Sequence, residues 1–189
     1  MRPMRETKRA EAPLAQASVA GVIEGYASLF GLIDDGGDMV LRGAFARSLQ
    51  SRGAAGVKML WQHRAAEPIG MWTAIVEDAR GLKVTGRLDL SVARAREALS
   101  LLRGGAVDGL SIGFRTKRAV TDRSGGVRRL QEVDLWEISI VTFPMLAQAR
   151  IGSVKRRPED MRRAAAQTAN EFEAKLRRLQ IQIPSLRGA

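Results

Sequence analysis

The sequence predicts an α+β domain with a mostly antiparallel, β-barrel-like core and surrounding helices, followed by a basic C-terminal helix. Short stretches rich in β-branched and aromatic residues recur between turn-forming residues from residue 19 to residue 141. Two stretches among them have helical spacing, and after residue 157 the chain becomes a charged segment with an apolar stripe. We therefore divide it into a basic N-terminal tail (1–18), one globular domain (19–152) and a basic amphipathic helical tail (153–189).

The predicted strands share β-branched or aromatic residues bounded by turn-forming residues. They are, in order, 19–30, 57–62, 68–76, 82–90, 109–120 and 127–141. The third and fourth are expected to form a hairpin across a turn at 77–81. Pro144 closes the last strand, because proline cannot continue a central ladder. The acidic stretch 34–38 predicts a solvated turn, since it lacks the glutamate that completes a calcium loop.

Two helices are predicted between the strands. Residues 43–49 follow a short extended segment at 39–41 and lead into the first helix. Ser91 is expected to cap the second helix, which ends near Arg103 before two glycines. The apolar face of this second helix consists of Val92, Ala95, Leu99 and Leu102.

The net charge of +11 belongs mainly to the ends of the chain. Residues 1–9 carry +3 and residues 150–189 carry +6, so residues 10–149 carry only +2. A near-neutral domain argues against nucleic acid as the main partner. In the C-terminal tail an apolar stripe predicts a helix for self-association, for docking onto a partner or for packing on its own domain. The stripe consists of Met161, Ala165, Thr168, Phe172, Leu176, Leu179 and Ile183.

The composition narrows the available chemistry. The chain has no cysteine and one histidine, which excludes disulfides, thiolate metal ligands, cysteine nucleophiles and zinc-binding spacings. We expect neither a cofactor nor a metal.

No apolar run approaches the roughly 18 to 20 residues that span a membrane, and no signal-type apolar core follows the basic N-terminus. A cytoplasmic location is therefore expected.

The candidate site begins with His63, the only histidine in 189 residues. Imidazole is the usual general base near neutral pH, and residues 57–62 place His63 at a strand end or in the loop that follows. Ser111 lies between Gly109 and Gly113, where small residues permit the close approach of a substrate backbone. A nucleophilic hydroxyl and a base are two parts of a serine protease, although this spacing also fits an ordinary strand serine.

The third part, an acid that orients the base, is expected in the last strand. Glu137 and Asp134 are the two candidates. Burying a carboxylate in this apolar strand costs free energy unless the carboxylate is paired, and His63 is the expected partner.

Four segments in this order resemble the prohead (capsid-maturation) protease family of tailed phages, over residues 19–152. They are Gly-Tyr-Ala at 25–27 with Phe30, Trp-Gln-His at 61–63 followed by Pro-Ile-Gly at 68–70, Gly-Leu-Ser-Ile-Gly-Phe at 109–114, and Leu-Trp-Glu-Ile-Ser-Ile-Val-Thr-Phe-Pro-Met at 135–145. The resemblance implies a serine-protease fold similar to that of the herpesvirus assemblins. It assigns Ser111 as nucleophile, His63 as general base and Glu137 as the acid, with Asp134 as the alternative. Met145 departs from the family, in which a small residue often follows the proline.

The resemblance also implies a function. Members of the family cleave scaffolding protein or the N-terminal scaffold-like segment of the major capsid protein, and commonly themselves, inside the immature capsid (the prohead). Such genes also occur in prophages and gene transfer agents. Two alternatives remain: a non-enzymatic capsid assembly or scaffolding factor with a protease-like domain, and nucleic-acid packaging through the basic tails.

Overall fold

The computed structural model describes residues 21–122 and 126–154, together with Asn170, Glu171 and Ala174. Its elements are strands of 3 to 14 residues with two helices among them, much as the turn-forming residues predict. In chain order they are β1 (Val22–Leu29), β2 (Asp38–Val40), α1 (Ala46–Gly56), β3 (Lys58–Trp61), β4 (Arg64–Glu77), β5 (Gly81–Leu88), α2 (Ala93–Arg103), β6 (Gly109–Thr121), β7 (Arg128–Val141) and β8 (Ile151–Val154).

The strands form one curled sheet of mixed direction. Their order is β2-β7-β3-β4-β5-β1-β8, and β6 pairs with β7 outside this path. Among the strands of the described residues, β2 and β3 alone pair in parallel, both with β7. The starts of β6 and β8 are linked by two backbone hydrogen bonds: the Leu110 N–H donates to the Ala149 carbonyl (2.9 Å) and the Ile151 N–H donates to the Asp108 carbonyl (2.8 Å). The mostly antiparallel core is confirmed, but the predicted β-barrel-like core is a curled half-barrel of mixed direction that includes two parallel strand pairs.

Strand β7 positions the functional groups, because β2, β3 and β6 all pair with it. Its core face buries a row of aliphatic side chains: Leu130, Val133, Leu135, Ile138 and Ile140. Between Leu135 and Ile138 the register with β6 shifts, so that Phe114 lies opposite Leu135 and Gly113 lies opposite Glu137. Trp136 is thus the extra residue of a β-bulge, which re-aims the side chain that follows it.

Helix α1 begins against a carboxylate from the sheet. Glu77 accepts hydrogen bonds from the Phe45 N–H (2.9 Å) and the Gly43 N–H (3.1 Å), which satisfies donors at the helix start. Phe45 is itself part of the core. The helix is longer than predicted and is interrupted at Gly53, whose φ of 65° is left-handed.

Helix α2 begins at Ala93 and buries three of the four residues of the predicted apolar face together with Ala98, whereas Val92 precedes the helix and is only partly buried. The prediction that Ser91 caps it is wrong: the N-cap is Val92, without a side-chain hydrogen bond. The Ser91 hydroxyl donates instead to the carboxylate of Asp89 (2.6 Å). Because the Ser91 hydroxyl is bonded to the nearby charged carboxylate of Asp89, it does not cap the helix.

Three further differences concern element boundaries. Strand β4 starts at Arg64, before the predicted start at Pro68. Strand β8 was not predicted, and it crosses residue 152, where the predicted domain ends. The division of the chain at that residue stays a prediction. Asp38 is not part of a solvated turn, because it begins β2 and its carboxylate binds the Arg128 guanidinium (2.6 Å).

The predicted C-terminal helix lies outside the described residues, apart from three helical positions at Asn170, Glu171 and Ala174. Among the helices that the structure describes, none combines the length and the apolar character needed to cross a membrane.

Candidate active site

His63 lies in the turn between β3 and β4, as its place after the apolar run predicts. Gln62 and His63 have left-handed φ angles of 51° and 59°, which residues other than glycine adopt rarely. The Gln62 N–H donates to the Ile140 carbonyl (3.0 Å), and its side-chain Nε2 donates to the Thr142 hydroxyl (2.9 Å). These bonds to the end of β7 stabilise the turn and fix the position of the His63 backbone, from which the imidazole side chain extends.

Glu137 reaches this imidazole from β7. The Oε1 atom of Glu137 lies 2.5 Å from Nδ1 of His63. Gly113 faces the same carboxylate from β6, and a Cβ atom at residue 113 would come within 2.1 Å of Oε1. The bulge at Trp136 therefore directs the carboxylate into space that only a glycine leaves open.

Ser139 links the backbone of His63 to the same carboxylate. Its hydroxyl oxygen accepts a hydrogen bond from the His63 N–H (3.0 Å), and its hydroxyl proton is donated to Oε2 of Glu137 (2.7 Å). The residue is fully buried, with 0% of its surface exposed. Ser139 is two residues after Glu137 on one face of β7, and that spacing is the signal by which the sequence could have identified it.

Ser111 lies directly opposite Ser139 in the antiparallel pair of β6 and β7, so both side chains are on one face of the sheet. It is 5% exposed and lines a cavity of about 140 Å³ between β6, the end of β1 and the segment after β7. The side-chain and backbone bonds of His63 in the described structure go to Glu137 and Ser139, and none goes to Ser111. Catalytic hydrogen bonds often tighten only when substrate is bound.

The walls of this cavity are mainly apolar. They include the side chains of Leu29, Leu32, Ile112, Phe114, Met145 and Leu146. Two carboxylates also line it, but Asp34 accepts bonds from the backbone of its own turn and Asp38 is paired with Arg128. The cavity is thus suited to a small apolar side chain next to Ser111.

The Glu137 carboxylate affects both the pKa and the tautomer of His63. The hydrogen bond to Glu137 raises the pKa of His63 above its ordinary 6.5; burial opposes this shift and the carboxylate charge adds to it. An ionised carboxylate can only accept a hydrogen bond, so the neutral ring carries its proton on Nδ1. The Nε2 atom then keeps a lone pair that can accept a proton.

Asp134, the alternative acid, has other partners. Its carboxylate accepts hydrogen bonds from the Trp136 indole (2.9 Å) and the Arg52 guanidinium (2.7 Å), and these bonds hold the pKa of Asp134 below its usual range. The geometry favours Glu137 as the acid beside His63.

Besides Ser139, sequence reasoning missed two supporting residues, because their roles depend on packing. Gln62 stabilises the His63 turn, and Gly113 makes room for the Glu137 carboxylate.

Within the described part of the chain, no cluster of three or more His, Cys, Asp or Glu residues could hold a metal ion.

Comparison with known proteins gives this geometry a family context. Residues 6–164 match the family described as caudovirus prohead serine protease. The prohead protease of Enterobacteria phage HK97 is 34% identical over 139 residues, which are 71% of this chain and 60% of that protein. The capsid polyprotein of Pseudomonas phage PAJU2 is 33% identical over 114 residues, which are 57% of this chain and 17% of that protein.

Among solved structures, the capsid assembly protease of bacteriophage T4 superposes with a TM-score of 0.51 and 13% identity, over 65% of this chain and 82% of that chain. This likeness concerns the fold alone. The chain spans less than two thirds of the length of either curated relative. The match over residues 6–164 covers most of the sequence, and on this ground the chain belongs to the caudovirus prohead serine protease family.

Proposed function

We propose that this chain is a serine endopeptidase that acts during prohead maturation. The observation that carries the proposal is the 2.5 Å contact between His63 Nδ1 and Glu137 Oε1, with Ser111 on the adjoining strand. A hydroxyl, a base and a group that orients the base are the parts that such catalysis requires. Because the chain has only one imidazole, a carboxylate takes the orienting role.

In the proposed mechanism, Nε2 of His63 accepts the proton of the Ser111 hydroxyl while Oγ bonds to the carbonyl carbon of the scissile peptide. Glu137 stabilises the imidazolium that forms. Nε2 then donates this proton to the leaving nitrogen, the C–N bond breaks, and an ester to Ser111 remains. A water molecule gives a proton to Nε2 and attacks the ester carbon, after which Ser111 regains its proton and the acid product leaves.

The two facing serines differ in their suitability as the nucleophile. Ser139 has no exposed surface, and its proton is already donated to Glu137. Ser111 lines the cavity beside the site, where a substrate side chain could be bound. This difference supports Ser111 as the nucleophile.

We propose capsid and scaffold proteins as the substrates. The support is the family itself, together with one relative named a prohead protease and another named a capsid polyprotein. The expected targets are scaffolding protein or the N-terminal scaffold-like segment of the major capsid protein, with this chain as a further target. Cleavage would take place inside the immature capsid.

A further proposal concerns the C-terminal tail. Residues 150–157 carry +4 and residues 158–189 carry +2, so the apolar stripe, rather than the charge, is the main feature of the last segment. We propose that residues 158–189, which include the apolar stripe, associate with scaffold, shell or a second copy of the chain.

The direct test is Ser111→Ala, co-expressed with the capsid and scaffold proteins and followed by intact-mass spectrometry. Wild type should truncate the capsid protein and itself, and the variant should leave both intact, since loss of a triad member costs on the order of 10⁴ or more in rate. Ser48→Ala removes another buried serine hydroxyl and should retain cleavage. Cleavage by Ser111→Ala would overturn the assignment. Assembled particles without truncation by wild type would indicate a non-enzymatic assembly factor.

A further inference from the structure

Ser139 closes a ring of hydrogen bonds that begins and ends on His63. The His63 N–H donates to Ser139 Oγ (3.0 Å), the Ser139 hydroxyl donates to Glu137 Oε2 (2.7 Å), and Glu137 Oε1 contacts His63 Nδ1 (2.5 Å). The direction of each bond is determined, because a backbone N–H can only donate and a carboxylate can only accept. One buried hydroxyl thus connects the backbone of the base to the acid that binds its ring.

We propose that Ser139 is a positioning residue, which holds the Glu137 carboxylate and the His63 turn in the geometry that presents Nε2 to Ser111. This inference rests on the function proposed above. Ser139 acts only through its two neighbours, because it is fully buried and its single proton is already donated.

The geometry gives Ser139 two separate effects. First, its bond to Oε2 fixes the rotation of the carboxylate, so that Oε1 stays on Nδ1. Second, its bond to the His63 N–H supports a left-handed backbone (φ 59°) that would otherwise be strained. Displacing a catalytic group by about 1 Å can lower a rate by about 10²-fold, so both effects bear on turnover more than on substrate binding.

The charged groups around this hydrogen-bonded ring determine what a change in the titration of His63 means. Glu137 is the group whose hydrogen bond and charge raise the pKa of His63. From β3, Lys58 lies opposite Glu137 in register, and from β4, Arg64 is paired with Glu67. From β6, Gly113 faces Glu137 without a side chain. A change in the His63 titration therefore reports on Glu137 and on what holds it.

The test is Ser139→Ala, measured by the imidazole NMR titration of the protein labelled at its single histidine and by the kinetics of capsid-protein cleavage. The pKa of His63 should fall toward 6.5, and kcat should fall about 10- to 100-fold with KM changed less than about threefold. Ser139→Cys keeps nearly the same volume with a weaker hydrogen-bonding group, and should shift both quantities in the same direction by less.

Ser48→Ala is the matched control. The Ser48 hydroxyl is also buried and accepts a backbone N–H of β7, that of Leu135 (2.9 Å). It should lower thermal stability like Ser139→Ala while leaving the His63 titration and kcat unchanged. A wild-type titration in both Ser139 variants, or an equal shift in Ser48→Ala, would overturn the proposal. The titration needs no turnover, so its result is separate from whether Ser111 is the nucleophile.

Discussion

Gly113→Ala should disable the site while leaving the fold in place. A Cβ atom at residue 113 would lie 2.1 Å from Oε1 of Glu137, where real Cβ contacts are not found below 3.0 Å. The carboxylate must therefore move by about 0.9 Å or more, which should lengthen or misalign its 2.5 Å contact with His63. The atoms in the way belong to a side chain that can rotate, and alanine is acceptable in a strand, so the cost to folding is small. A displacement of about 1 Å at a catalytic group predicts a kcat/KM roughly 10²-fold lower.

The assay is a time course of capsid-protein cleavage, with circular dichroism to verify the fold and the His63 NMR titration to verify the site. The pKa of His63 should fall toward 6.5, because the hydrogen bond to Glu137 is the main cause of its elevation. Gly152→Ala is the matched control, since the nearest atom to a Cβ there is 3.9 Å away. If Gly113→Ala cleaved at the wild-type rate with an unchanged titration, the role of the Glu137 carboxylate would be refuted.

Three further predictions concern the same chain. Glu137→Gln should lower kcat by on the order of 10²- to 10⁴-fold and move the acidic limb of the pH–rate profile to lower pH. The limb should move because His63 acts as a base only when neutral and Glu137 raises the pKa of His63. An acidic limb at the wild-type pH would contradict the pairing of Glu137 with His63. Asp134→Asn should cleave within about twofold of wild type and unfold in denaturant close to wild type, since it removes a partly exposed ion pair. A large loss of activity would make Asp134 the acid instead. Deletion of residues 158–189 should reduce the amount of enzyme in purified particles, measured by mass spectrometry, and normal incorporation would exclude the docking role.

The strands were predictable because local periodicity and turn residues determine them. Strand β5 buries alternate residues over most of its length, and the Asp78 to Gly81 turn before it has the residue types that turns require. The placement of His63 at a strand end followed from the apolar run before it. These features depend on neighbours in sequence, which a single chain displays.

The site geometry was not predictable in the same way, because it depends on contacts between distant strands. The bulge at Trp136 exists only relative to β6, and the spacing of β7 alone does not reveal it. The spacing of the last strand did not distinguish Glu137 from Asp134, whereas the bond from Arg52, in α1, to Asp134 favours Glu137. Strand β8 is short and completed by pairing with β1, so its four residues carry little signal of their own.

Under the proposed function, orientation of a lone imidazole by a carboxylate has a consequence for the working pH. A neutral partner could fix the same Nδ1 tautomer without adding charge, whereas Glu137 raises the pKa of His63 through both its hydrogen bond and its charge. A higher pKa makes Nε2 a stronger base but leaves fewer molecules in the neutral form near pH 6.5. The proposed catalysis should then increase as the pH rises through the elevated pKa, and protonation of His63 should be enough to suppress it. Because the sequence has no other histidine, we expect that single proton to set the acidic limit of the proposed reaction.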